Sequence, residues 1–207
     1  MKTSLSTFAL FALTMTAFAV YSQETMLSTE VRDMFGRATY SLPGAPSRPL
    51  QVGTVLPAGA VVRTGPGSAV DLRLGKESEL VRLTQNTELE LEQMASPAAG
   101  VSQIQLTVRQ GTILGNLKPL GPEARLEVKT SNGVVSVRHG AYRINSAGYL
   151  VLLEGEMLYA FVPSGHDPKL FTLTAPPAIY FSPLEGTQPA PPPLVLEVQG
   201  QLRPRLR

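Results

Sequence analysis

The sequence contains no cysteine and no tryptophan, and its only histidines are His139 and His166. Without cysteine there is no disulfide, no thiolate metal site, no cysteine nucleophile and no lipid-modified cysteine to tether the chain. Two histidines are too few for a His-rich metal centre, and the absence of any D-x-D-x-D-G run removes the usual calcium loop. An excess of charge of one sign is also missing. Eighteen basic and 16 acidic residues leave a net charge of +2, spread too evenly to attract nucleic acid or anionic lipid. No cofactor, metal or nucleic-acid partner is therefore expected. What the chain does have is 43% apolar residues, with 18 glycines and 18 prolines, the composition of one globular domain.

The N-terminus reads as an export signal over residues 1–22. Lys2 supplies a positive start, Phe8 to Phe18 is almost wholly apolar, and Ala17-Phe18-Ala19 is a small-x-small cleavage pattern. Val20-Tyr21-Ser22 is a second candidate, so the mature chain is expected to begin at Val20 or Gln23. The apolar run falls short of the ~20 residues that span a bilayer. Further on, Tyr149 to Val162 is interrupted by Glu154 and Glu156, so no membrane span is expected after cleavage. The expected location is periplasmic or extracellular. With no disulfide, the fold must be held by its own core, which a chain of about 185 residues is large enough to build.

Along the mature chain the apolar residues recur every second position. Val70, Leu72 and Leu74 alternate with Asp71 and Arg73, Leu89 and Leu91 with Glu88, Glu90 and Glu92, and Ile104, Leu106 and Val108 with Gln105, Thr107 and Arg109. This is the period of a strand with one face buried and one wet. Turn signals separate the runs at Pro57-Ala58-Gly59, Thr64-Gly65-Pro66-Gly67, Gln85-Asn86, Gln110-Gly111, Leu120-Gly121-Pro122, Ser131-Asn132-Gly133 and Ala147-Gly148. Short strands between such turns give an all-β class, the pattern of sandwiches, barrels and solenoids. Leu72, Leu74, Leu83, Leu89, Leu91, Ile104, Leu106, Val108, Leu126, Val128, Val135 and Val137 are expected to point inward. Thr25 to Phe35 reads as a short helix or a leading strand. Residues 31–175 make the β domain, with an exposed loop at Ser96 to Gly100. From Pro176 to the end, eight prolines remove backbone donors and predict an extended, polyproline-like tail over 176–207. Within it, Leu194 to Val198 is the one run that suggests a late strand.

Four segments, in order, carry a family resemblance. They are GTVLPAGAVVRTGPGSAVDLRL at 53–74, LVRLTQNTELEL at 80–91, LTVRQG at 106–111 and VKTSNGVVSVRHGAYRI at 128–144. Together they resemble the FecR-like domain across about residues 50–150. The resemblance implies a short-stranded β-solenoid or a double-layered β-helix or sandwich. It also implies a non-enzymatic module that docks a protein partner of the bacterial envelope. The familiar FecR-like relays pair such a domain with a cytoplasmic segment that restrains a sigma factor, joined by a membrane-crossing helix. Neither part is recognisable here, so the complete relay is not expected. A binder of cell-wall glycan or peptidoglycan, or an architectural envelope protein, is the alternative.

The motif departs from the family at its centre. Where the family reads V-R-G-T, this chain has Val137, Arg138, His139 and Gly140. Either Gly140 takes the turn one residue later or the loop geometry differs, with His139 a partly buried residue at a strand end. Arg138, His139 and Tyr142 are the candidate ligand or partner contacts. Catalysis is not expected. Glu88, Glu90 and Glu92 lie about 7 Å apart along one strand face, a separation an inverting glycosidase could use, but solubility produces the same stripe. His166-Asp167-Pro168 reads as a turn, and Gly65-Pro66-Gly67-Ser68 lacks the lysine and helix of a phosphate loop. Glycan platforms rest on exposed aromatics, for which Tyr142, Tyr149, Tyr159 and Tyr180 are the candidates.

Overall fold

A computed structural model of the chain describes residues 25–26, 28–75, 79–96, 103–119 and 125–203. The leader with both candidate cleavage sites, and the expected loop beyond Ser96, lie outside the described residues. Those described form eighteen strands and one helix. The first eight strands are β1 (Thr25–Met26), β2 (Thr29–Phe35), β3 (Ala38–Ser41), β4 (Arg48–Pro49), β5 (Val55–Leu56), β6 (Val61–Thr64), β7 (Ala69–Leu74) and β8 (Glu79–Leu83). Next come β9 (Glu88–Ser96), β10 (Gln103–Gln110), β11 (Thr112–Leu117), β12 (Arg125–Thr130) and β13 (Gly133–Asn145). The last are β14 (Leu150–Leu152), β15 (Gly155–Phe161), β16 (Lys169–Ala175), β17 (Ile179–Ser182), β18 (Gly186–Pro189) and helix α1 (Pro192–Leu202). Of the Thr25–Phe35 segment, Thr25–Met26 and Thr29–Phe35 are strands and not helix.

Backbone pairing sorts the strands into two ladders. The first runs β4, β3, β6, β9, β10, β12, the first half of β13, β15 and β16, with β1 beside the far end of β9. The second runs β5, β2, β7, β8, β11, the second half of β13, β14, β17 and β18. Both ladders thus lengthen in nearly the order of the chain. Of the described pairings only β10 with β12 is parallel. Between those two strands the chain visits the second ladder as β11, so it re-enters the first in its former direction. Residues alternating inward from both ladders meet in one core, and all twelve positions expected there, from Leu72 to Val137, are buried.

Five of the seven turn signals meet along one line of corners; Pro57-Ala58-Gly59 lies apart, the Gly59 amide donating to the Leu91 carbonyl, and Leu120-Gly121-Pro122 lies outside the described residues. The Gly65 amide donates to the Arg37 carbonyl at 2.9 Å, and the Thr87 amide to the Thr64 hydroxyl at 2.9 Å. The Thr112 amide donates to the Thr87 hydroxyl at 3.1 Å, and Asn145 Nδ2 to the Gly111 carbonyl at 3.1 Å. The Ser146 amide continues the line to the Gly111 carbonyl, and the Ser131 amide to that of Ser146. The side chains of Thr64, Thr87 and Asn145 join this line between backbone–backbone bonds, which gives Thr and Asn a role where alternation stops.

β13 belongs to both ladders because it bends at Gly140. A bulge opposes Val137 and His139 to Met157 and Glu156, leaving Arg138 as the extra residue. The inward set then changes from Val135 and Val137 to Tyr142 and Ile144, as one inserted residue requires. Gly140 has φ 112°, and a Cβ there would stand 1.8 Å from the Glu154 carbonyl oxygen. Only glycine fits.

The proline-rich end corrects the expectation of an extended tail. Ile179–Ser182 and Gly186–Pro189 pair as strands, and β17 adds to β14. Leu194 to Val198 lies within α1 and is not a late strand. Prolines at the first two helical positions explain the start, where their missing N–H groups would have no partner anyway. The rest of the helix has Leu, Glu or Gln at six of its nine positions, against two valines and Gly200, with no side-chain cap at its start and no charge of its own set against its dipole. Docking holds it: Val198 is fully buried against Leu114 and Val151, with Leu153, Tyr180, Leu194 and Leu202 around them.

Candidate functional site

The three predicted contact residues do not share one surface. Arg138, on the bulge, is exposed and reaches Glu156 Oε1 at 3.4 Å. His139 is half-buried and faces Glu156 in the strand register. Tyr142 is 1% exposed, and its ring lies over Gly115, where a Cβ would come within 2.3 Å of the phenol oxygen. It is a core residue, excluded from any surface contact. A bulge re-aims a side chain, and here it turns Arg138 outward while Tyr142 goes inward.

The carboxylate stripe of β9 is matched cation by cation across neighbouring strands. Arg63 grips Glu88 through two N–H groups at 3.0 and 3.1 Å. Arg109 donates to Glu90 at 3.0 and 2.6 Å, and its guanidinium pKa is raised chiefly by that hydrogen bond. Lys129 and Thr107 both bind Glu92. Their hydrogen bonds, that of Lys129 first, hold the Glu92 carboxyl below its ordinary pKa. A general acid needs the opposite shift. The stripe is the wet face of the first ladder, neutralised residue by residue.

The second ladder is different on its outer face. Near β7 and β8 it is charged: Arg82 binds both oxygens of Asp71 at 2.6 Å. The same guanidinium donates to the Gln201 and Arg203 carbonyls at 2.5 and 2.9 Å. It thereby closes the C-terminus of α1, whose orphan carbonyls favour a cation. The Asp71 hydrogen bond is the largest cause of its raised pKa. Near β11, β14 and β17 the face is apolar, and α1 covers it.

Of the four tyrosines considered for glycan contact, Tyr142 and Tyr159 are buried. Burial pushes the Tyr159 hydroxyl pKa up, partly offset by a hydrogen bond with Thr130. Tyr149 and Tyr180 pair at the surface, ring centroids 6.4 Å apart and planes 17° apart. Beside them Arg143, Asn145, Val151 and Leu194 complete a cleft of about 380 Å³. His166 sits in a turn, its amide donating to the Pro163 carbonyl at 3.1 Å.

Edge strands complete the inventory. β4 and β5 are two residues each, and β18 carries Gly186 and Pro189. β16 is seven residues long, free of proline and glycine, and among the described residues pairs only with β15. Its Leu170 is 68% exposed. Sequence reasoning missed this edge because an edge is a property of pairing. The exposed Val162 and Leu170 on either side of the His166 turn were the available signal.

Residues 60–158 match the family model described as FecR protein. The match runs from just before β6 into β15, so β16, the Tyr180 strand and α1 lie beyond it. No curated protein and no solved structure gives a significant match.

Proposed function

Because the chain carries a FecR domain across residues 60–158, a domain of regulatory, non-enzymatic proteins that act through protein contacts, we propose that it is an exported interaction module. Its β16 edge takes an extended segment of an envelope protein as an added strand. The observation that carries this reading is the contrast among the edges. Natural edges are blunted by shortness, proline or charge. β4, β5 and β18 follow that rule, and β16, with Lys169 as its one charge, does not. Strand addition draws affinity from the main chain and specificity from alternate side chains, here Leu170, Thr172 and Thr174. The near-sequential growth of both ladders supports a double-layered, solenoid-like fold, in which β16 is the growing end of the first ladder.

The test is capture of solubilised envelope proteins on purified residues 23–207, beside the L170D/T172D double variant, with insoluble cell wall assayed in parallel. Recovery of one stoichiometric protein, reduced at least about tenfold (1.4 kcal/mol) by the substitutions at unchanged melting temperature, is the expected result. Equal recovery by both chains removes β16 from the interface. Retention on wall alone would move the protein to a glycan-binding role, and binding to neither would leave an architectural one.

A further inference from the structure

The Tyr149–Tyr180 cleft lies on the second ladder, away from the β16 edge, and has the parts of a small-ligand site. Tyr149 follows the Gly148 turn before β14, and Tyr180 sits opposite Val151 in the β14–β17 register. Their near-parallel rings, 17° apart with centroids 6.4 Å apart, offer an aromatic face to the C–H face of a pyranose. The space beside them, about 380 Å³, lies near the lower end of ligand cavities and suits one or two sugar rings.

The polar rim selects the charge. Asn145 is spent inside the fold: Nδ2 donates to the Gly111 carbonyl and the Thr112 hydroxyl, and Oδ1 accepts from the Ala147 amide. Arg143 is held less firmly. Its partner is Glu197 Oε1 at 3.1 Å, a carboxylate 50% exposed on α1. A guanidinium presents a fork that fits a carboxylate with two hydrogen bonds, so an incoming carboxylate can take the place of Glu197. The start of α1 offers nothing to a phosphate. Pro192 and Pro193 have no N–H, and the Leu194 and Val195 amides both donate to the Pro191 carbonyl.

From this geometry we propose that the Tyr149–Tyr180 cleft binds an acidic saccharide, its ring stacked on the tyrosines and its carboxylate on Arg143. Glu197, paired with Arg143 at 3.1 Å, is the internal competitor for that guanidinium. Two sources share this chemistry, uronic acids and the lactyl carboxylate of muramic acid.

The experiment titrates the purified chain by calorimetry with trigalacturonic acid, with a soluble N-acetylglucosamine–N-acetylmuramic acid disaccharide, with neutral chitotriose and with a proline-rich peptide. Saturable binding of either acidic sugar, at least about tenfold tighter than chitotriose (1.4 kcal/mol), is expected, and the acidic sugar that binds identifies the source. Y149A should weaken that binding at least tenfold, and R143Q should erase the preference over chitotriose. E197Q, which removes the internal competitor without touching the platform, should tighten it. Melting temperatures of the three variants separate loss of binding from loss of fold. Equal affinity for chitotriose, binding of the peptide alone, or an acidic sugar whose affinity is indifferent to all three substitutions overturns the proposal.

Discussion

The two ladders share one core but solve their outer faces in opposite ways. On the first, Glu88, Glu90 and Glu92 of β9, Gln105, Thr107 and Arg109 of β10, and Glu127 and Lys129 of β12 face outward, and Arg63, Arg109 and Lys129 pair with Glu88, Glu90 and Glu92 across the strands. Such a face is finished with water. On the second, β11 and β14 place Leu114 and Val151 outward while Ile113, Leu150 and Leu152 go inward. An apolar outer face exposed in this way would invite association, and α1 covers it. The difference shows that the C-terminal helix is a consequence of the sheet beneath it. A segment of 11 residues is too short to hold as an isolated helix, and it holds here where it has an apolar strip to lie on.

The comparison can be tested by substitution, beginning with what the ladders share. L89A and L106A remove buried atoms from the common core and should each cost about 2–4 kcal/mol in denaturant unfolding. An unchanged midpoint for both would mean that the strand register is wrong. V198D places a carboxylate against Leu114 and Val151 and should cost about 2 kcal/mol. Amide exchange should then quicken first across α1, β11 and β14, while β9 and β10 stay protected. Simultaneous loss of protection in both ladders would show that the helix is integral to the core and not a cover. R82A removes the link between Asp71 and the end of α1, with an expected loss of about 1–2 kcal/mol and the same local exchange signature.

The smallest effect belongs to the wet face. E92Q should lower stability by less than about 1 kcal/mol, as for an exposed ion pair. Because the folded Glu92 carboxyl has a depressed pKa, its contribution is fully present above the unfolded value of about 4.3. That contribution is lost as pH falls through the lower folded value. The stability difference between wild type and E92Q should therefore shrink in acid. A difference that persists at acid pH would show that Glu92 acts through packing.

Legibility followed the same division. Where one face is wet, alternation announces the strand and its inward residues, so the core from Leu72 to Val137 could be read directly. At the displaced glycine of the central motif the sequence left two readings open, a turn one residue later or a different loop geometry, and the structure places the bend at Gly140. Where both faces are covered, alternation disappears. The adjacent Ile113 and Leu114, and the Leu150-Val151-Leu152 run, were the sign that something lies over the second ladder, and the sequence does not say what. At the candidate contacts, Arg138 was legible as a surface residue. Tyr142 was misplaced because the bulge at Arg138 shifts the parity of everything after it.

By itself the sequence determined the mostly β class, the position of the described corners and the composition of the core. Those depend on local chemistry, the two-residue period and the turn preferences of Gly, Asn, Ser and Thr. Only the tertiary structure decided that 192–202 is a helix, that β16 is an unblunted edge, and that Tyr149 and Tyr180 meet beside Arg143. Each of these depends on which distant strand becomes a neighbour, and pairing energy is shared across the whole ladder and not written in any one segment.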